Sequence, residues 1–173
     1  YVYAESDRYQ AIEIPYKGGR AAMVILLPKP GQFETLESSL DGEQMSAILQ
    51  SLQPSDKTLA DVYLSLPKFQ YEASLSLKET LVGLGMSDAF DPEKADFSGM
   101  DGTRYLLIAH VVHKAFVAVD EKGTEAAAAS AVVMEVESMP IIVNCDRPFI
   151  FLIYDKQTGA ILFVGRVLDP TAK

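Results

Sequence analysis

The stretch Glu121–Ser138, EKGTEAAAASAVVMEVES, limits what this chain can fold into more than any other. Propensity alone makes Glu125–Ala131 a helix with Thr124 as its N-cap. That helix would have no broad apolar face. Four consecutive alanines, Ala126–Ala129, bury little area at about 25 cal/mol per Å², so packing would not hold it. Small side chains are better suited to entering as a strand between two strands already in place, where they meet no steric obstruction. Extended, the fifteen residues from Gly123 to Glu137 reach about 50 Å at about 3.3 Å each, long enough to span a large sheet.

What flanks this stretch is β-prone. Ile108–Val119 is rich in β-branched residues and longer than the usual strand of about five or six, so it is expected to cross a large sheet. On the other side, Ile141–Asn144, Phe149–Tyr154 and Ile161–Leu168 are near-continuous apolar runs and read as buried strands. Asp155–Gly159 turns the last two into a hairpin. Tyr9–Tyr16 and Ala21–Leu27 form a second hairpin through Lys17-Gly18-Gly19-Arg20. After the stop at Pro28, Pro30 and Gly31, apolar residues recur at helical spacing: Phe33, Leu36 and Leu40, then Met45, Ile48, Leu49 and Leu52. They predict two short amphipathic helices on either side of Asp41-Gly42. Thr58–Leu66 reads as a strand, Pro67 as a kink and Lys68–Tyr71 as its extended continuation. Leu77, Leu81 and Leu84 form a helical face that ends at Gly85, and Asp91–Gly102 reads as loop. The fold class is α+β.

A length of 173 residues fits one domain able to bury a core without staples. Fifteen basic against twenty-four acidic residues give a net charge of −9, which repels phosphate backbones and anionic lipid. The longest apolar run, Ala21–Leu27, falls far short of the roughly 18 to 20 residues of a membrane span, so neither nucleic acid nor membrane is an expected partner. The N-terminal residues show no signal peptide, and Cys145, the single cysteine, allows no intrachain disulfide. Asp146 beside it disfavours a thiolate, so Cys145 is read as a structural apolar residue. His110 and His113, three apart on a strand, point to opposite faces and make a poor metal site. No hydrolase, nucleotide or zinc-protease signature is present, and the acidic stretch Glu34–Glu43 reads as a solvated face. The expectation is a protein that is not an enzyme and needs no metal or cofactor.

Longer strings carry a resemblance. Glu121–Val132 resembles the proximal hinge of the reactive-centre loop of inhibitory serpins, and Cys145–Pro170 resembles the serpin C-terminal signature. Leu66–Phe69 (LPKF), Leu84–Phe90 (LGMSDAF), Ala95–Met100 (ADFSGM) and His110–Gly123 (HVVHKAFVAVDEKG) match as well, in the family's order and spacing from about Tyr9 to Pro170. The wording of the C-terminal strands is nearer to prokaryotic serpins. The resemblance implies that residues 1–173 are the C-terminal portion of a single serpin domain. That portion has mixed and antiparallel sheets with short helices, and the hinge and reactive-centre loop lie at 121–140. A serpin is roughly twice this length, so the N-terminal half is expected as a separate chain or as the other part of a nicked molecule, and any signal region would lie there.

Function follows from the resemblance as an expectation. A serine protease, or alternatively a cysteine protease, cleaves the exposed loop. The loop then inserts as a strand in the main sheet and traps the acyl-enzyme, a switch between two packings of one sequence. In the hinge, Glu121 precedes Gly123, Thr124 enters the sheet first, Glu125 alternates outward, and Ala126, Ala127, Ala128 and Ala129 follow. No bulky or proline residue obstructs them. Family loop length places the reactive bond at Glu137-Ser138, with Val136-Glu137 as the alternative. Lys68 and Glu121 match a salt bridge near the hinge, though two solvated surface charges would read the same. His113 matches a histidine where central strands part; as a generic residue it would be a hydrogen-bonded core histidine. A non-inhibitory serpin-fold binding or structural protein, or an inactive fragment, is the alternative. Extracellular location is favoured over cytoplasmic.

Overall fold

The computed structural model describes residues 1–52, 61–120 and 140–170, so every statement below concerns these residues. They fall into two compact units, one built from Tyr1–Lys68 with Asp120–Lys173 and the other from Phe69–Val119.

The first unit is organised on five antiparallel strands: β1 (Val2–Glu5), β2 (Tyr9–Pro15), β3 (Ala21–Pro28), β8 (Phe149–Asp155) and β9 (Ile161–Val167), adjacent in that order. The β2–β3 hairpin closes as the sequence predicts. Gly18 and Gly19 both have positive φ, the geometry a tight two-strand turn requires, and Tyr16 N–H donates to the Ala21 carbonyl at 2.9 Å. β8 lies against β3, with Val24 opposite Leu152 and Ile25 opposite Phe151, so chain segments more than 120 residues apart form the sheet centre. One sheet face carries Ala11, Ala22, Val24, Leu26, Ile150 and Leu152. These pack with Leu36 of α1 (Phe33–Ser39) and with Ile48 and Leu49 of α2 (Gly42–Ser51) in a single buried cluster. Asp41 caps α2, its Oδ1 accepting from Gln44 N–H at 2.8 Å. Alternate residues of the same strands, Ile12, Ile25, Phe149 and Phe151, are also buried.

β1 goes beyond the sequence reading, which gave the first five residues no strand. It pairs with β2, Ala4 opposite Ala11. A second difference concerns burial. β8 is buried except at the half-buried Ile153, but β9 leaves Ile161, Leu162, Phe163 and Val164 exposed, and Leu168 just beyond it is exposed as well. β9 is an edge strand whose one neighbour is β8, and an apolar run does not reveal how many of its faces are covered. The short parallel pair β4 (Val62–Ser65) and β7 (Ile141–Asn144) completes this unit, and Ile142 is exposed there too. Thr58–Ala60, the expected start of the β4 strand, lies outside the described residues.

In the second unit β5 (Phe69–Ser76) pairs antiparallel with β6 (Val112–Val119) as a two-stranded ladder. The long strand expected over Ile108–Val119 is shorter at its start, because Ile108 N–H is drawn to the Ala89 carbonyl at 3.0 Å and regular pairing begins only at Val112. Between the strands, α3 (Lys78–Gly83) ends at Gly85 as predicted, and Asp88–Phe90 forms one 3-10 turn. The expected loop Asp91–Gly102 contains a further short helix, α4 (Ser98–Asp101). Asp96 Oδ1 accepts from Ser98 N–H at 3.1 Å and from its hydroxyl at 2.6 Å, fixing the chain where that helix starts.

Candidate functional site

The reactive segment predicted from sequence lies outside the described residues. This applies to the hinge positions Glu121, Gly123, Thr124, Glu125, Ala126, Ala127, Ala128 and Ala129, and to Val136, Glu137 and Ser138 of the two candidate reactive bonds. What is described is the framework from which the segment leaves and to which it returns.

The departing strand is β6. On it His113 is exposed and sits opposite Leu75, on the face that also carries Tyr71, Ala73, Ala115 and Val117. His110 is exposed as well, in the irregular stretch before β6. Lys68 is an exposed residue just ahead of β5, and its proposed partner Glu121 is among the residues not described. The expected pairing of Lys68 with Glu121 thus lies outside the described residues.

The returning chain is anchored firmly. β7 pairs with β4, after which Cys145 N–H donates to the Ser65 carbonyl at 2.9 Å. Cys145 is 2% exposed, and burial pushes its thiol up to about 11, with the nearby Arg147 cation opposing and Asp146 adding a smaller upward push. A thiol held protonated in this way is a packing group, as the sequence suggested. Arg147 Nε donates to the Pro28 carbonyl at 2.9 Å and Nη1 donates to Asp146 at 3.2 Å, pinning the start of β8 to the end of β3.

At the opposite end of the sheet is a polar cluster that sequence reasoning missed. Glu13, on β2, is 2% exposed and accepts hydrogen bonds from the Tyr154 hydroxyl and from Lys156 Nζ. Burial, reinforced by the adjacent Glu13 carboxylate, holds the proton on the Tyr154 phenol well above its ordinary range. Beside it Arg20 Nε pairs with Asp155 at 2.8 Å, and Lys156 N–H donates to the Arg20 carbonyl at 2.7 Å. The Arg20 guanidinium lowers the Asp155 carboxyl to about 2, helped by Thr158 and Gln157 N–H groups of the turn. The two hairpin turns are thus clasped together. The one sequence signal was a glutamate flanked by Ile12 and Ile14. The acidic helical stretch is mostly solvated, but Glu37 is partnered by Arg166 of β9.

This order of strands and helices matches a known family. The family model described as Serpin (serine protease inhibitor) covers residues 1–170. The chain belongs to the serpin family. An uncharacterised serpin-like protein of Thermococcus kodakarensis is 44% identical over 173 residues, covering 97% of this chain and 39% of the relative. The leukocyte elastase inhibitor of Homo sapiens is 38% identical over 178 residues, 98% of this chain and 46% of the relative. Among solved structures, the thermophilic serpin tengpin in its native state superposes with a TM-score of 0.72 at 34% identity, covering 97% of this chain and 44% of that one. The chain therefore spans less than half the length of the serpins it matches, and its α+β architecture is a partial serpin fold.

Proposed function

We propose that this chain supplies the hinge, reactive-centre loop and C-terminal strands of a serpin that inhibits a serine protease as a suicide substrate. The observation that carries this reading is the composition of Gly123–Ala129 within a family match that spans residues 1–170. Every position there except Glu125 is small, so a cleaved loop meets no steric bar to entering a sheet. Insertion adds ladder hydrogen bonds and burial to a sheet that is metastable without them, and it competes with hydrolysis of the acyl-enzyme. Lys68 and Glu121 form the salt bridge near the hinge, and His113 acts where the strands part.

Cleavage falls at Glu137-Ser138. A glutamate before that bond selects a protease with a basic specificity pocket, because an unpaired buried carboxylate costs several kcal/mol. Cleavage at Val136-Glu137 instead selects an elastase-like pocket. Residues 1–173 act as one portion of a single serpin domain, completed by the N-terminal half as a separate chain or as the other part of a nicked molecule. The exposed apolar residues of β9 and of the β5–β6 ladder support this, since bare edges of that kind invite aggregation unless something covers them. The complete protein acts outside the cell.

The test incubates the complete protein with a Glu-specific, an elastase-like and a chymotrypsin-like serine protease. A covalent complex that survives denaturation, with cleavage mapped by mass spectrometry to Glu137-Ser138, is the expected result. Cleaved loop without complex, together with no gain in melting temperature after cleavage, would replace inhibition by a non-inhibitory binding role.

A further inference from the structure

Loop insertion makes no use of a depression at the end of the five-stranded sheet where β3 leaves it and β8 enters. Its volume is about 820 Å³, inside the range of roughly 300–1,000 Å³ typical of small-molecule pockets. Pro28, Pro30, Phe33, Pro148 and Leu168 give it apolar walls. The charged lining is three cations, Lys29, Arg147 and Arg166, against two carboxylates, Glu34 and Glu37. This is an excess of one positive charge, in a chain whose net charge is −9.

The cations are not equivalent. Arg147 is fixed from behind by the Pro28 carbonyl and by Asp146, which lies outside the lining, so its guanidinium is oriented before any ligand arrives. Lys29 is drawn to Glu5, also outside the lining, at 3.0 Å. Arg166 is partnered by Glu37, a lining residue, and both side chains are substantially exposed at 54% and 36%. An exposed pair of this kind is easily opened. The planar guanidinium fork fits a carboxylate through two parallel hydrogen bonds, whereas a neutral ligand would leave that fork unused.

We propose that this depression binds a small amphipathic carboxylate. Its apolar body lies against Phe33, Leu168 and the proline rings, and its carboxylate takes Arg166 in place of Glu37. The site is independent of the inhibitory reading, because none of its residues belongs to the hinge or loop.

The probes are 2-naphthoate and its neutral counterpart 2-naphthylmethanol, titrated calorimetrically into the complete protein at low and high salt. Arg166→Gln and Glu37→Gln are compared with the parent. The acid is expected to bind saturably and at least tenfold more tightly than the alcohol, with affinity falling as salt rises. Arg166→Gln should weaken it at least tenfold, and Glu37→Gln should tighten it several-fold by removing the competitor. A general loss of structure would weaken both variants, so the opposite signs isolate the charge. Should Arg166→Gln fail to fold, Glu37→Gln alone decides. Equal binding of acid and alcohol, no saturable binding, or a Glu37→Gln variant that binds no better than the parent overturns the proposal.

Discussion

In the five-stranded sheet, β3 and β8 bury alternate residues on both faces, Val24 and Leu152 on one, Ile25 and Phe151 on the other. In the β5–β6 ladder, Val117, at 9% exposure, is the one strand residue that is buried, while Leu75, Val112 and Phe116 are exposed. Both sheets use β-branched and aromatic residues in well-paired registers, so pairing does not explain the difference. Two short helices lie in one cluster with one face of the larger sheet, whereas α3 buries no residue of its own. A paired ladder needs a covering layer before its apolar residues contribute to stability, and two strands alone are at best marginal in water.

Truncation at matched aromatic positions probes this contrast with the largest expected effect. Phe151→Ala removes a ring that is 1% exposed and should cost about 3 to 5 kcal/mol in urea unfolding. Phe116→Ala, at 56% exposure, should cost under about 0.5 kcal/mol in this chain. A large loss at Phe116 in the complete protein, but not in this chain, would show that the ladder gains its cover from elsewhere in the molecule.

Two smaller effects test the packing inside the larger sheet. Tyr154→Phe leaves the buried Glu13 carboxylate with Lys156 but without the phenol, a loss of about 1.5 to 3 kcal/mol for a hydrogen bond to a charged group. An unchanged urea midpoint would mean that water replaces the hydroxyl there. At Gly165 of β9, a Cβ would come within 2.6 Å of the Phe151 ring, which lies across it. Gly165→Val should therefore cost about 1 to 3 kcal/mol through overpacking, although β9 is otherwise an exposed edge strand. A neutral result would mean that Phe151 rotates without penalty.

Much of this sheet was legible because its signals are local: the Gly18-Gly19 turn, the proline stop after Leu27 and the helical spacing of Leu36, Ile48 and Leu49. The expected reactive segment at 121–140 lies outside the described residues and rests on family resemblance alone, since its alanines are compatible with either a helix or an inserting strand. What escaped was non-local. Glu13 finds its partners 141 and 143 residues away, a distance no window of sequence reveals. The exposure of β9 escaped for a related reason: Leu162 and Val164 have the composition of buried residues, and only the layers around them decide whether they are buried.

The smallest expected effect concerns the surface side of the same clasp, the Arg20–Asp155 pair. Its carboxyl lies at about 2 in the folded protein, below the ordinary aspartate value near 4, because Arg20 and then the turn N–H groups favour the ionised form. A lowered acid contributes stability that is fully present above the unfolded value and is lost as pH falls from about 4 to about 2. Asp155→Asn should therefore be less stable than the parent at pH 6, with the difference shrinking across that window and vanishing near its lower end. Because the Arg20 side chain is 75% exposed, added salt should also shrink the difference at pH 6. If the difference persists undiminished at pH 2, the turn's hydrogen bonds rather than the charge carry the contribution, and the clasp is held from its buried side, at Glu13.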